Sequence, residues 1–434
     1  MTSLPLLRNA ATGVFASLKF FLCLLLLVFV AVSCKNDEQE EEPNPQIGKV
    51  VIVYMAAENS LAGNMSKDIN EMLGGMKNVG ETDHLILYTD NTGLPKIYDI
   101  TAASQNESFN SLTPVKTYEQ DLNSCSYEVL DSVLQYIKGN YPSQNYRLVF
   151  WSHGSGWLPP QPEADANHSE SWGAKPRRAF GYDNGLNTVA NAGSQLSIDD
   201  MRRALLNFGP VDFILFDACF MQNIEVLYQL RNCTRYIIAS PAEVPGEGAP
   251  YHQMIGPMFS DSGYVEGMTD AYYNYYATDQ LYGILLSAVD CSKLEYVASI
   301  TQPYLEQYKE TLLNMDYSNV LNYFKWDYYY RNPYSDYYDM RGVMKAALSE
   351  EDFETWNAQF STMFLSQAHT DHWYSVFNNR SDNRVDPLQY SGVTMYIPLQ
   401  KYALKNKWFA TGYYETEWAK AVWPTKRNTT ETGN

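Results

Sequence analysis

A mostly parallel α/β fold is predicted by two features of the chain. Short apolar runs rich in Val, Ile, Leu, Phe and Tyr alternate with segments of helical period, the pattern of successive βαβ units. Two of those runs also pass straight into chemistry-bearing residues, Trp151-Ser152-His153 and Phe216-Asp217-Ala218-Cys219. In an open parallel sheet the functional crevice lies outside the carboxyl ends of the strands, which is where such residues would stand.

Taken in order, Val50 to Met55 is the first predicted strand and His84 to Tyr88 the second, joined through Asn59 to Met76 as a helix or loop-helix segment. Asn123 to Lys138 places Val129, Leu130, Val133, Leu134 and Ile137 on one helical face, with Gly139 beyond its end. Arg147 to Trp151 is a strand. Ser197 opens a helix with Asp200 three residues on, as in a capping box; Ile198, Met201, Leu205 and Phe208 face inward and Gly209 closes it. Val211 to Phe216 follows as a strand, Ile224, Leu227 and Leu230 mark a helix, and Tyr236 to Ala239 is a further strand.

The N-terminus points outside the cytoplasm. Arg8 and Lys19 precede an apolar run, Phe20 to Val32, that is too short to span a bilayer comfortably and is flanked like a secretory signal. Ala31-Val32-Ser33-Cys34 resembles the lipobox of bacterial lipoproteins. That resemblance implies acylation of Cys34, a membrane anchor and an outer-membrane or cell-surface location; an ordinary cleaved signal is the alternative. Residues 34–46 include KNDEQEEEPNP, which cannot bury apolar area and is expected to be a solvated tether. The rest divides into a catalytic domain at 47–270, a mixed α+β accessory subdomain at 271–424 and a polar tail at 425–434.

With 31 basic and 50 acidic residues the net charge is −19, and losing residues 1–33 removes two basic residues and no acidic ones, leaving −21. Nucleic acid is therefore not an expected partner. Outside the signal and the anchor, Cys125, Cys219, Cys233 and Cys291 are widely spaced and form no Cys-x-x-Cys pair, so neither a disulfide scaffold nor a zinc site is indicated. Cys125, Cys233 and Cys291 are read as buried hydrophobes. No cofactor and no metal site are expected, although weak calcium binding is conceivable in so acidic a chain. His369 and His372 lack a third convincing ligand.

Cys219 is different because it stands at a strand end before a helix, whose unsatisfied N–H groups and dipole would favour a thiolate. His153 stands at the end of another strand. Two strands of one sheet ending at the same edge can bring an imidazole and a thiol together as an acyl-transfer pair. Gly154 would let its N–H approach a developing oxyanion, with the Cys219 N–H as second donor. Packing alone is the alternative for either residue; their coincidence at matching strand ends favours chemistry. Ser155 is no serine-hydrolase nucleophile, since His153 and Trp157 occupy the glycine positions of Gly-x-Ser-x-Gly.

His153-Gly154 and Asp217-Ala218-Cys219, with 66 residues from His153 to Cys219, resemble the clostripain-like cysteine peptidases, relatives of the caspases, gingipains and legumains. "ASPAEVPGEGAPY" at 239–251 resembles that family's pocket loop, with Ala249 where an aromatic is more usual, and "SGVTMYIPL" at 391–399 a late strand. The resemblance implies a caspase-like sheet flanked by helices and a monomeric cysteine endopeptidase. In it Cys219 attacks the scissile carbonyl, His153 protonates the leaving amine, and Asp217 selects Arg or Lys at P1 of a protein or peptide substrate. Glu243 and Glu247 could add charge to the pocket, or be solvated loop acids. Family members can cleave themselves between histidine and cysteine; Lys175-Pro176-Arg177-Arg178 makes Arg177 or Arg178 the expected site, because Pro176 blocks the bond after Lys175. The rival reading is a non-catalytic surface protein on a peptidase fold, using the Tyr clusters from Tyr272 and Trp326 to hold peptide or glycan. More often such residues fill cores and helix faces.

Overall fold

Lys49–Ala56 (β1) lies at the centre of the main sheet, and every residue from Val50 onward is buried because both faces of the strand are covered. The computed structural model describes residues 47–157, 180–185, 194–279, 281–325, 336–375, 380–400 and 412–423. Cys34, the tether, the 425–434 tail, Arg177, Arg178 and most of the Tyr cluster from Trp326 lie outside the described residues.

Around β1 run Ala62–Gly75 (α1), His84–Asp90 (β2), Lys96–Ile100 (β3), Lys116–Thr117 (β4), Tyr127–Asn140 (α2) and Asn145–Trp151 (β5). The hairpin Phe180–Asp183 (β6) and Ser194–Leu196 (β7) precedes Ile198–Phe208 (α3), Val211–Asp217 (β8), Ile224–Leu230 (α4) and Thr234–Ala239 (β9). Tyr251–Met258 (α5), Tyr264–Tyr276 (α6), Leu285–Asp290 (β10) and Leu294–Gln307 (α7) follow. Asn322–Lys325 (β11) and Asp336–Asp339 (β12) form a small sheet, and Phe364–His369 (β13) returns to the main one.

The main sheet has the order β13-β10-β9-β8-β5-β1-β2-β3-β4. Its centre, β9-β8-β5-β1-β2, is parallel, and antiparallel strands flank it on both sides. The predicted βαβ units are this parallel centre. β3 and β4, five and two residues long, are too short to be read from sequence. β10 and β13 lie beyond residue 270, yet β10 pairs onto β9 and β13 onto β10, and the chain from Ile47 onward forms one compact unit.

Strand alternation divides the core in two. Val50, Ile52 and Tyr54 pack with α2, α3, α4 and α7, whereas Val51, Val53 and Met55 pack with α1, α5 and α6. Full burial of each such aliphatic stabilises the fold by about 1.5–3 kcal/mol. Helix signals behave as the sequence suggests: Ser197 caps α3 by accepting from the Asp200 N–H at 3.1 Å, and Gly209 ends it at φ +107°. Ser126 caps α2 in the same way, although α2 continues through Gly139 to Asn140. Cys125, Cys233 and Cys291 are buried thiols. Tyr272 and Tyr276 are core residues of α6, while Tyr273 and Tyr275 face outward.

Candidate active site

β5 and β8 are parallel neighbours with Trp151 opposite Asp217. The Ser152 N–H still reaches the Asp217 carbonyl at 3.4 Å. Carried one step further, this register sets His153 beside Cys219 as both chains leave the sheet. Both residues line one cleft of about 370 Å³, with Leu61, Asn64, Asp68, Gly154, Asp217 and Glu243 among its walls. That volume suits a side chain and its flanking backbone.

The His153 and Cys219 side chains are each held by a neighbour that the motifs do not reveal. The His153 Nε2 is 2.8 Å from the Ser60 Oγ, and the His153 carbonyl accepts from the Gly181 N–H at 2.8 Å. Ser60 follows Asn59, whose amide donates to the Ala56 carbonyl, the Ser152 Oγ and the Tyr182 carbonyl. The Cys219 Sγ, half-buried, accepts from the Val244 N–H at 3.3 Å. The expected helix N-terminus does not serve the thiol: α4 begins at Ile224, after an irregular loop, and is only seven residues long. A backbone N–H from the loop after β9 supplies the donor instead. Phe220, next to the thiol, is the only non-glycine residue at positive φ (+60°) among the described residues. Such a conformation costs about 1–3 kcal/mol and persists where surroundings impose it. Here the Phe220 N–H donates to the Ala242 carbonyl at 2.8 Å and the ring packs on Phe324 and Tyr337.

Gly154 is required by close approach. A Cβ at this position would lie 2.4 Å from the Cys219 carbonyl oxygen and 3.1 Å from the Ala218 Cβ. Gly154→Ala is therefore expected to shift the Cys219 backbone, lowering kcat/KM about 100-fold and stability by about 1–3 kcal/mol. Steady-state kinetics and thermal melts check both; wild-type kinetics would remove Gly154 from the site.

The cleft floor is acidic. In β8, Asp217 follows Phe213 and Leu215 on the α1/α5/α6 face, and its Oδ2 accepts from the Tyr251 hydroxyl (2.8 Å) and the Ala249 N–H (3.2 Å). Ala249 thus contributes through its backbone N–H. Burial pushes the Asp217 carboxyl up to about 6, against the pull of those two hydrogen bonds. Asp68 of α1 stands over it, its Oδ2 accepting from the Trp151 Nε1 at 2.8 Å, while its buried Oδ1 has no hydrogen-bond partner. Burial first, and then the Asp217 charge, push Asp68 up to about 8. Gly248, at φ +71°, lies between the two: a Cβ there would be 3.2 Å from the Asp217 Oδ2 and 3.4 Å from the Asp68 Oδ2. The Tyr276 hydroxyl holds the Gly248 carbonyl at 2.8 Å.

Asp68 is the acid that motif reading missed. Its signal is a carboxylate at the centre of a buried helical face, between Met65, Ile69, Met72 and Leu73. Glu243 is buried and lines the cleft. Glu247 does not: half-exposed on the rim, it pairs with Lys67, beside the bond from the Asn64 amide to the Gly246 carbonyl (2.5 Å) that ties α1 to the pocket loop. The His369 Nδ1–H donates to the Thr370 carbonyl at 2.8 Å and the ring packs on Tyr390, and His372 pairs with Asp371.

A parallel sheet that brings a histidine and a cysteine at neighbouring strand ends to one carboxylate-lined cleft has the arrangement of the caspase-like α/β cysteine peptidases. The chain belongs to the clostripain family, peptidase C11, which it matches over residues 53–424. Clostripain of Hathewaya histolytica is 26% identical over 238 residues, covering 50% of this chain and 43% of clostripain, so the match spans less than half of that relative. A secreted C11 cysteine protease from Bacteroides thetaiotaomicron, solved with an irreversible peptide inhibitor, is 28% identical with a TM-score of 0.67 over 86% of this chain and 98% of that one. An inactive zymogen C11 protease from Parabacteroides distasonis is 25% identical with a TM-score of 0.69, covering 87% and 98%.

Proposed function

We propose that this protein is a surface-anchored cysteine endopeptidase that cuts peptide bonds after Arg or Lys. The observation that carries the reading is the placement of His153 and Cys219 at matching ends of adjacent parallel strands, in one cleft with Asp217 and Asp68. The Cys219 thiolate attacks the scissile carbonyl, and the Gly154 and Cys219 N–H groups receive the developing oxyanion. As the tetrahedral intermediate collapses, the C–N bond breaks and the imidazolium of His153 gives its proton to the leaving amine. Water then adds to the thioester with His153 as base, releasing the carboxylate product and the thiol. With the Nε2 edge engaged by Ser60, Nδ1 is the nitrogen assigned to proton transfer. Two floor carboxylates support a cationic P1 side chain, for which an ion pair replaces their mutual repulsion.

Anchoring through an acylated Cys34 is supported by the lipobox and the acidic tether. Self-cleavage after Arg177 or Arg178 is supported by their position between the two reacting residues. Fluorogenic peptides ending in Arg, Lys or an uncharged residue test the substrate class, with the chain followed on a gel. Turnover confined to Arg and Lys is expected, with one internal nick that Arg177→Ala/Arg178→Ala abolishes. Turnover of uncharged peptides alone would overturn the specificity.

A further inference from the structure

Ser60 stands on the short link between β1 and α1, outside every motif that marks the site, yet its hydroxyl is 2.8 Å from the His153 Nε2. The residue is exposed, so packing does not hold it in place. Its backbone does. The side chain of Asn59, a residue 8% exposed, accepts from the Leu61 N–H through Oδ1 at 2.9 Å and so closes a turn around Ser60. The Asn59 N–H donates to the Ala57 carbonyl at 2.7 Å, and the Ala62 N–H to the Asn59 carbonyl at 3.1 Å. The same side chain reaches the strand that carries the histidine: its amide donates to the Ala56 carbonyl at 2.9 Å and to the Ser152 Oγ at 3.3 Å, and that Oγ donates to the Ala56 carbonyl at 2.7 Å. Ser152 precedes His153 and Asn59 precedes Ser60, so one buried network sets the spacing of hydroxyl and imidazole.

A hydroxyl can donate or accept, and a neutral imidazole offers one donor and one acceptor. The imidazolium offers two donors and no acceptor. When His153 carries the proton destined for the leaving amine, Ser60 can therefore only accept, from the Nε2–H. A hydroxyl that keeps this role after the proton has gone leaves the neutral ring as the Nε2–H tautomer, with the lone pair on Nδ1 ready to take a proton from water.

We propose that Ser60 is a positioning residue for His153, accepting the Nε2 hydrogen in both charge states of the ring and so keeping Nδ1 as the atom that gives and takes the proton. The assignment rests on His153 being the acid and base of the peptidase proposed above. That the acceptor is uncharged has a consequence of its own. A carboxylate at this place would pair with the imidazolium and make its proton harder to give up, whereas a hydroxyl stabilises it less and leaves it a better acid toward the departing amine. The other titratable groups near the ring are Cys219, Asp68, Asp217 and Glu243 in the cleft and Glu58 two residues before Ser60. They are shared by wild type and every Ser60 variant, so a difference between these proteins reports the hydroxyl.

Two measurements test this. Nitrogen NMR of the full chain labelled at its histidine rings and carrying Cys219→Ala reads the tautomer without turnover, at about pH 9 where histidines are ordinarily neutral; the His153 signals are identified by their loss in a His153→Ala sample. The Nε2–H tautomer is expected, with the Nδ1–H form gaining population in Ser60→Ala. On an arginyl peptide, Ser60→Ala is expected to lower kcat about 10- to 100-fold with KM within about 3-fold of wild type. The alkaline limb of its kcat/KM profile, where the imidazolium is lost, should move to lower pH by about half a unit, because the hydroxyl bonds the charged ring more strongly than the neutral one. Ser60→Asp should move that limb to higher pH by about one unit or more. Both variants change an exposed side chain and should melt close to wild type. An Nδ1–H tautomer, an undiminished kcat in Ser60→Ala, or a lower kcat with tautomer and alkaline limb both unmoved overturns the role of Ser60. A wild type that turns over no basic peptide would count against the peptidase reading, while the tautomer still decides for or against Ser60.

Discussion

Cys219→Ala and His153→Ala are each expected to lower kcat/KM on an arginyl or lysyl peptide by about four to six orders of magnitude, with the double variant little worse than either. The expected non-additivity follows from the geometry. A thiol without its imidazole has no acid for the leaving amine, and an imidazole without its thiol has no acyl acceptor, so loss of one leaves the other idle. Neither side chain is a fully buried packing element: both are partly exposed on the cleft wall. Tm should therefore stay within a few degrees of wild type, and labelling of folded wild type by iodoacetamide should mark Cys219, whereas Cys125, Cys233 and Cys291 are buried. Retention of more than a hundredth of wild-type kcat/KM by Cys219→Ala would remove it as nucleophile.

The parallel centre of the sheet and the placing of His153 and Cys219 at one sheet edge were legible because both are local patterns. β1, β5, β8 and β9 are continuous apolar runs with turn residues at their ends, and His153 and Cys219 each lie two residues past the last strand residue. The features that support them were not legible, because they come from contacts distant in sequence. Ser60 meets His153 across 93 positions, and Asp68 meets Trp151 across 83. The positive φ of Phe220 is imposed by the loop after β9 and by rings from the β11-β12 region. The helix marked by Ile224, Leu227 and Leu230 does begin at Ile224, but its N-terminus does not reach Cys219 because Phe220 to Asn223 turn against residues 240–242, a contact distant in sequence. Glu247 was drawn into the pocket by its place in the loop and out of it by Lys67, a partner on α1 that no local pattern indicates.

The proposed selectivity for basic P1 residues is expected to depend on pH in a direction set by the burial of Asp68 and Asp217. Both carboxyls titrate above the ordinary carboxylate range, near 8 and near 6, because desolvation favours the neutral acid. Below pH 6 the free cleft floor is uncharged, between 6 and 8 it carries one negative charge, and above 8 two. The ratio of kcat/KM for an arginyl peptide to that for an uncharged peptide cancels the ionisation of Cys219 and His153, which both substrates share. This ratio is expected to rise as pH passes through about 6 and again through about 8. Asp217→Asn should remove the lower step and Asp68→Asn the upper. Each should weaken arginyl turnover at pH 8.5 by roughly 30- to 4,000-fold, the about 2–5 kcal/mol that a desolvated charge pair loses when one partner is removed. Stability should respond with the opposite sense. A carboxyl whose folded pKa is raised binds protons more readily folded than unfolded, so its contribution is greatest at low pH and declines as pH rises from the unfolded value near 4 to the folded one. Above pH 8, Asp68→Asn should therefore melt no lower than wild type, since it removes a buried charge and keeps an acceptor for the Trp151 N–H. A variant that lost arginyl turnover and melted much lower at that pH would assign Asp68 to the core rather than to the substrate.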